Sequence, residues 1–192
     1  MPHRENTFAP GNYYHIYNRG AHRENIFLSD ENFLYCLRLL RKYAQSYSVT
    51  VIAYCLMPNH YHFLLRQDGE VSLSKFINVA FNAYVQALNR QLGRKGTLFE
   101  GRFKHVLVDK DEYVLHLCRY IHLNPVKAGL VSRPEDWVYS NFREWIDRQQ
   151  GRLKHAEFIS SYFARPEDYQ RFVMEYEFEK ELAEKLQRYL LE

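Results

Sequence analysis

No stretch of the 192 residues reaches the roughly 18 consecutive apolar positions that a membrane-spanning helix needs, so no helical span is expected. The opening "MPHRENTFAPGN" lacks both the apolar centre and the cleavage site of a secretory leader, which places the chain in the cytoplasm as an expectation. Cysteine is scarce. Cys36, Cys55 and Cys118 stand far apart, each among apolar neighbours, and an odd number in a reducing compartment argues for buried thiols over disulfides or a zinc cluster. There is no internal repeat and no low-complexity tract.

A composition of 46% hydrophobic and 26% charged residues is that of an ordinary globule, long enough for one full core and an appended helix. The net charge of +3 hides an asymmetry. Residues 167 to 192 carry eight acids against four bases, a net −4, which leaves +7 on residues 1 to 166. A basic body suits a polyanionic partner, although a solvated face is the commoner cause of a modest excess. Arg90, Arg94, Lys95, Arg102 and Lys104 are opposed locally only by Glu100 and interleave with Phe99 and Phe103. Mixed bases and aromatics suit single-stranded nucleic acid, whose bases stack and whose phosphates pair, or else form a basic hairpin with its aromatics turned inward.

Periodicity orders the elements. "NYYHIYNRG" (12 to 20) reads as a strand, and Phe33, Leu34, Leu37, Leu40, Ala44 and Tyr47 recur at helical spacing. "VTVIAYCLM" (49 to 57) and "HYHFLL" (60 to 65) are joined by a Pro58-Asn59 turn as a hairpin. A second helix follows on Leu73, Phe76, Ile77, Ala80, Tyr84, Ala87 and Leu88, and "TLFEGRFKHVLV" (97 to 108) is expected as a strand bent at Gly101. The order β-α-β-β-α-β predicts an α+β, ferredoxin-like core: a four-stranded antiparallel sheet with two helices on one face. A third helix, started by a capping box of Asp109 and Glu112 and ended near Asn124 by Pro125, should cover part of the other face. Residues 168 to 191 are expected to form a last amphipathic helix. The core domain is taken as 1 to 145, with 146 to 192 an extension packed on it.

In "MPNHYHFLL" (57 to 65), strand alternation points His60 and His62 one way and Tyr61, Phe63 and Leu65 the other. Two imidazoles on one face are half a metal site, or a pair of satisfied edge side chains. On the third helix Tyr120 and Asn124, four apart, share a face with His116 a turn back. Should that helix cross the sheet near His60, Asn124 could add an oxygen ligand for a hard divalent ion, with positions left for phosphate oxygens. Tyr120 would then lie one turn from the ion. Its phenol, ordinarily near pKa 10, becomes a nucleophile when a cation stabilises the phenolate. The plainer reading makes Tyr120 one of 16 tyrosines, most of them structural.

"MPNHYHFLL", "YIHLNPVKAGLV" and "YYHIYNRG", with "FEGRFKHVLV" and "DWVYSNF", together resemble the single-tyrosine HUH transposases, in particular the bacterial REP-associated type, over about residues 12 to 145. By that resemblance His60 and His62 are metal ligands, Asn124 completes the set, and Tyr120 is the nucleophile. Tyr61 departs from the aliphatic residue often found between the histidines but keeps its inward-facing role. His122, nearly opposite Tyr120 on the helix, is taken as a surface or packing residue.

The implied activity is cleavage of single-stranded DNA near a hairpin through a 5′-phosphotyrosine, and rejoining to another 3′-hydroxyl, in DNA transposition. The implied cofactor is Mg²⁺ or Mn²⁺, with no nucleotide. The implied setting is the bacterial nucleoid, as monomer or homodimer. Three rivals differ in what they predict. An HUH replication-initiator nickase or relaxase would also form the adduct. A non-catalytic nucleic-acid-binding module on the same sheet would bind DNA without one, and a dimerisation domain would do neither.

Overall fold

A computed structural model describes residues 8–148 and 156–175. Four strands, β1 (Tyr13–Arg19), β2 (Val49–Met57), β3 (His60–Gln67) and β4 (Lys104–Val108), form one sheet in the order β2-β3-β1-β4, every neighbouring pair antiparallel. Helices α1 (Asp30–Ser46) and α2 (Leu73–Gln91) fill the two crossovers and pack on one face. This is the expected β-α-β-β-α-β arrangement. α1 buries Phe33, Cys36, Leu40 and Ala44, and α2 buries Phe76, Ile77, Ala80, Tyr84 and Leu88, against Tyr14, Ile16, Tyr61, Phe63 and Leu65 of the strands. The Ser72 hydroxyl caps α2 by accepting from the Ser74 N–H.

The opposite face is covered by α3 (Asp111–Lys127), α4 (Phe142–Trp145), α5 (Ala156–Tyr162) and α6 (Pro166–Met174). Its core joins Ala53, Cys55, Met57 and Leu64 of the sheet to Val114, Leu117, Cys118, Ile121, Trp145 and Tyr169. All three cysteines are free and buried, and burial pushes their thiol pKa values up. A register shift between Val51 and Ala53 puts both Ile52 and Ala53 on the α3 side, so Cys55 and Met57 lie behind His62 and His60. Among the described residues no helix is long and apolar enough to cross a membrane.

Three sequence expectations change. β4 spans only Lys104–Val108, because residues 98 to 100 touch the end of β1 by single contacts and the chain then leaves the ladder. There the Asn18 amide donates to Gly101 O (3.1 Å) in place of a backbone partner. α3 has Lys110 at its cap with no side-chain capping bond, and Asp111 and Glu112 stand in its first turn, where carboxylates favour the helix dipole. α3 also runs through Pro125 to Lys127. A proline so near a helix end forfeits one backbone bond, while Ala128 N–H to Asn124 O (2.9 Å) and Leu130 N–H to Pro125 O (3.0 Å) close the last turn. The expected helix over 168 to 191 is α6 as far as Met174, and residues 176 to 192 lie outside the described residues.

Candidate active site

His60 and His62 open β3, and across β1 they face Arg19 and Tyr17, the four side chains sharing the α3 side of the sheet. His62 is fully buried, and its ring meets the Tyr120 ring edge-on, 5.5 Å between centroids. The His60 ring lies 5.1 Å from that of His62 and within hydrogen-bonding reach of the Asn124 amide. Asn124 donates through Nδ2 to Tyr120 O (2.9 Å), which leaves its Oδ1 for the site. The fold thus brings together the four residues that the sequence had placed on two separate elements. His116 turns elsewhere: Arg119 donates to its Nδ1 (2.7 Å), and Phe172 lies beside its ring.

Each imidazole is oriented by its other nitrogen. His60 Nδ1–H donates to Asn59 Oδ1 (2.6 Å). His62 Nδ1 shares a hydrogen bond with His15 Nε2 (3.0 Å), the two rings nearly parallel. The buried His62 Nε2 has no hydrogen-bond partner. An orphaned imidazole nitrogen in a polar, His-lined position is what a metal ligand requires, because the lone pair must be bare and aimed into the site. With Nε2 bare, Nδ1 carries the proton and His15 accepts it. Burial, first of all, pushes the His60 pKa down to about 4, with nearby Arg19 adding to it against the Asn124 contact. His62 is held well below the ordinary imidazole value by burial, then by His15 and His60. Both rings are therefore neutral at pH 7, the form that binds a cation. Two imidazoles and an amide oxygen fit a hard or borderline divalent ion such as Mg²⁺ or Mn²⁺.

Sequence reasoning missed three participants. His15 sits two residues before Tyr17 on β1, and strand alternation in "YYHIYNRG" could have put it on the His62 side; the register was needed to make the contact. Asn59 was read only as a turn residue. Lys127, carried past Pro125 by the longer helix, sets its Nζ 5.0 Å from the Tyr120 ring centroid. Desolvation, then Arg119, lowers the Lys127 pKa.

The remaining expectations divide. Tyr61 faces inward, stacked on Phe81 at 4.2 Å. His122 is a buried packing residue, its Nδ1 bonded to Tyr169 OH (2.5 Å) and its Nε2 to Asn141 Oδ1 (2.9 Å). Arg90, Arg94, Lys95, Arg102 and Lys104 are all exposed, but Phe103 is buried and Phe99 half-buried against the α1–α2 core. The aromatics among these bases are turned inward.

A family model described as "Transposase IS200 like" matches residues 9–124, a span that includes His15, His60, His62, Tyr120 and Asn124. A Haemophilus influenzae protein named as a REP-associated tyrosine transposase is 27% identical over 141 residues, covering 64% of this chain and 80% of its own. A solved REP-associated tyrosine transposase bound to a REP hairpin superposes with a TM-score of 0.61 at 18% identity, over 80% of this chain and 93% of its own, a likeness of fold. With the histidine pair, Tyr120 and all four strands inside the matched span, the chain belongs to the IS200-like transposase family.

Proposed function

We propose that this chain cleaves and rejoins single-stranded DNA beside hairpins of the REP type, with Tyr120 as nucleophile. The observation that carries the reading is the buried, unpartnered His62 Nε2 beside His60 and Asn124, with the Tyr120 ring edge-on to His62. Tyr120 Oη attacks the phosphorus, the P–O3′ bond breaks, and the phenolic proton is passed through solvent to the departing 3′-oxygen. The products are a 5′-phosphotyrosine and a free 3′-hydroxyl, and the phosphodiester-level bond energy is retained for rejoining. His60, His62 and Asn124 would hold Mg²⁺ or Mn²⁺, which when bound supplies charge withdrawal from the scissile phosphate. Lys127 stabilises the developing phenolate through space, an effect strengthened in a partly desolvated site. His15 and Asn59 hold the two imidazoles in the tautomers that leave Nε2 free. Arg90, Arg94, Lys95, Arg102 and Lys104 offer phosphate contacts along the strand.

The test is a labelled single-stranded hairpin oligonucleotide incubated with the protein and Mn²⁺, then resolved under denaturing conditions. A covalent protein–DNA band is expected from the natural chain and none from Tyr120→Phe, which removes one oxygen and keeps the ring. An adduct in Tyr120→Phe would show that another residue is the nucleophile. DNA binding with no adduct in either would favour a binding module.

A further inference from the structure

Strand alternation sets His15, Tyr17 and Arg19 of β1 on the α3 side of the sheet, beside His62 and His60 of β3. Tyr17 pairs with His62 on one side and with Lys104 of β4 on the other. Its ring centroid lies 4.9 Å from that of His15 and 6.1 Å from that of His62. The Tyr120 ring lies 6.4 Å and 5.5 Å from the same two imidazoles. Two phenols therefore border one histidine pair, one carried by the sheet and one by α3. The proposed chemistry uses only Tyr120.

Tyr17 is 8% exposed, and among the described residues no hydrogen-bond partner meets its hydroxyl. Other buried phenols of this chain are paired: Tyr14 Oη accepts from Ala9 N–H (2.9 Å), Tyr84 Oη donates to Ile26 O (2.5 Å), and Tyr169 Oη bonds His122 Nδ1 (2.5 Å). A phenylalanine at position 17 would fill the same space without an unpaired hydroxyl, so this oxygen serves something that enters the site. A phenol is protonated at neutral pH and can donate. The other donors of this sheet face are engaged or lie at its margin. Arg19 Nε donates to Glu100 Oε2 (2.5 Å), His15 shares its bond with His62, and Lys104 is exposed on the edge strand. A phosphate attacked by Tyr120 needs such a donor, because negative charge is spread over its non-bridging oxygens in the transition state.

We infer that Tyr17 is a second catalytic tyrosine, whose hydroxyl donates to the non-bridging oxygen of the scissile phosphate turned away from His60, His62 and Asn124. No bond to Tyr17 forms or breaks and its proton stays in place; the hydrogen bond strengthens as charge gathers on that oxygen during attack by Tyr120. The inference rests on the proposed reading of the chain as one that cleaves single-stranded DNA. Its test follows adduct formation by the full chain on a hairpin oligonucleotide in single turnovers with Mn²⁺. Tyr17→Phe should lower the rate at saturating DNA roughly 100-fold, with the half-saturating DNA concentration unchanged. Its melting temperature should equal that of the natural chain or exceed it, because no bond within the fold is lost. Oligonucleotides with sulfur at either non-bridging oxygen of the scissile phosphate add a readout that a structural role would not move. One diastereomer should slow the natural chain yet leave Tyr17→Phe no slower than with oxygen. An undiminished rate in Tyr17→Phe, a lowered melting temperature, or sulfur effects equal in the two proteins overturns the inference. Any of these beside an adduct in the natural chain removes Tyr17 alone, whereas no adduct in the natural chain removes the DNA-cleaving reading with it.

Discussion

His15 and His62 show how one hydrogen bond decides which imidazole nitrogen stays bare. His62 is completely buried, so its ring has nowhere to turn, and the shared bond to His15 Nε2 decides which nitrogen is bare. Partners that orient a metal-binding imidazole typically contribute 10- to 100-fold in affinity. His15→Ala is therefore expected to weaken Mn²⁺ binding by roughly 10- to 100-fold in calorimetry, and His60→Ala to weaken it further. Unchanged Mn²⁺ affinity in both variants would remove the metal assignment. His60 is the better histidine to delete, because it is half-buried, whereas truncating His62 would also leave a void in the sheet.

The helix that carries Tyr120 is anchored on its far side by a buried polar chain whose polarity can be worked out link by link. Asn141 Nδ2 donates to Ile52 O (2.9 Å) and its Oδ1 accepts from Tyr54 N–H (2.8 Å), which fixes the amide on the outer edge of β2. Asn141 Oδ1 can then only accept from His122, so Nε2 of that ring carries the proton and Nδ1 accepts from the Tyr169 hydroxyl. Three elements, β2, α3 and α6, are thereby locked in register. Tyr169→Phe would leave a buried nitrogen unsatisfied and should cost roughly 1–3 kcal/mol of stability, read as a lower denaturant midpoint with an unchanged slope. An unaltered midpoint would mean that α6 contributes only apolar cover.

Over the whole molecule, buried neutral histidines make stability depend on pH. Burial lowers the His122 pKa to about 4 from an ordinary 6.5, the Asn141 contact opposing it in part, and the ring is enclosed by Tyr169, Asn141, Phe142 and Trp145. Below about 6.5 the unfolded chain takes up a proton that the folded chain refuses, so the unfolded state binds more protons. The stability that depends on neutral His122 is complete above that pH and is lost progressively as the pH falls toward about 4. Melting temperatures should decline across this window, and His122→Gln should flatten the decline while lowering stability at pH 7. A profile for the variant as steep as that of the natural chain would place the acid sensitivity on other groups.

The features legible in the chain alone are local and periodic. Alternation along β3 put His60 and His62 on one face, and the helical repeat put Tyr120 and Asn124 on another, because side-chain direction follows from backbone geometry within a few residues. The same periodicities ordered the strands and helices and, with the motifs, pointed to the family. Whatever depends on register between distant segments emerges only in the fold. His15 meets His62 across 47 residues, Arg19 meets Glu100 across 81, and Asn141 reaches Tyr54 across 87. No local pattern carries such a pairing. The shift at Ile52 and the passage of α3 through Pro125 were likewise decided by packing, since one forfeited backbone bond near a helix end weighs less than the apolar face α3 buries on the sheet.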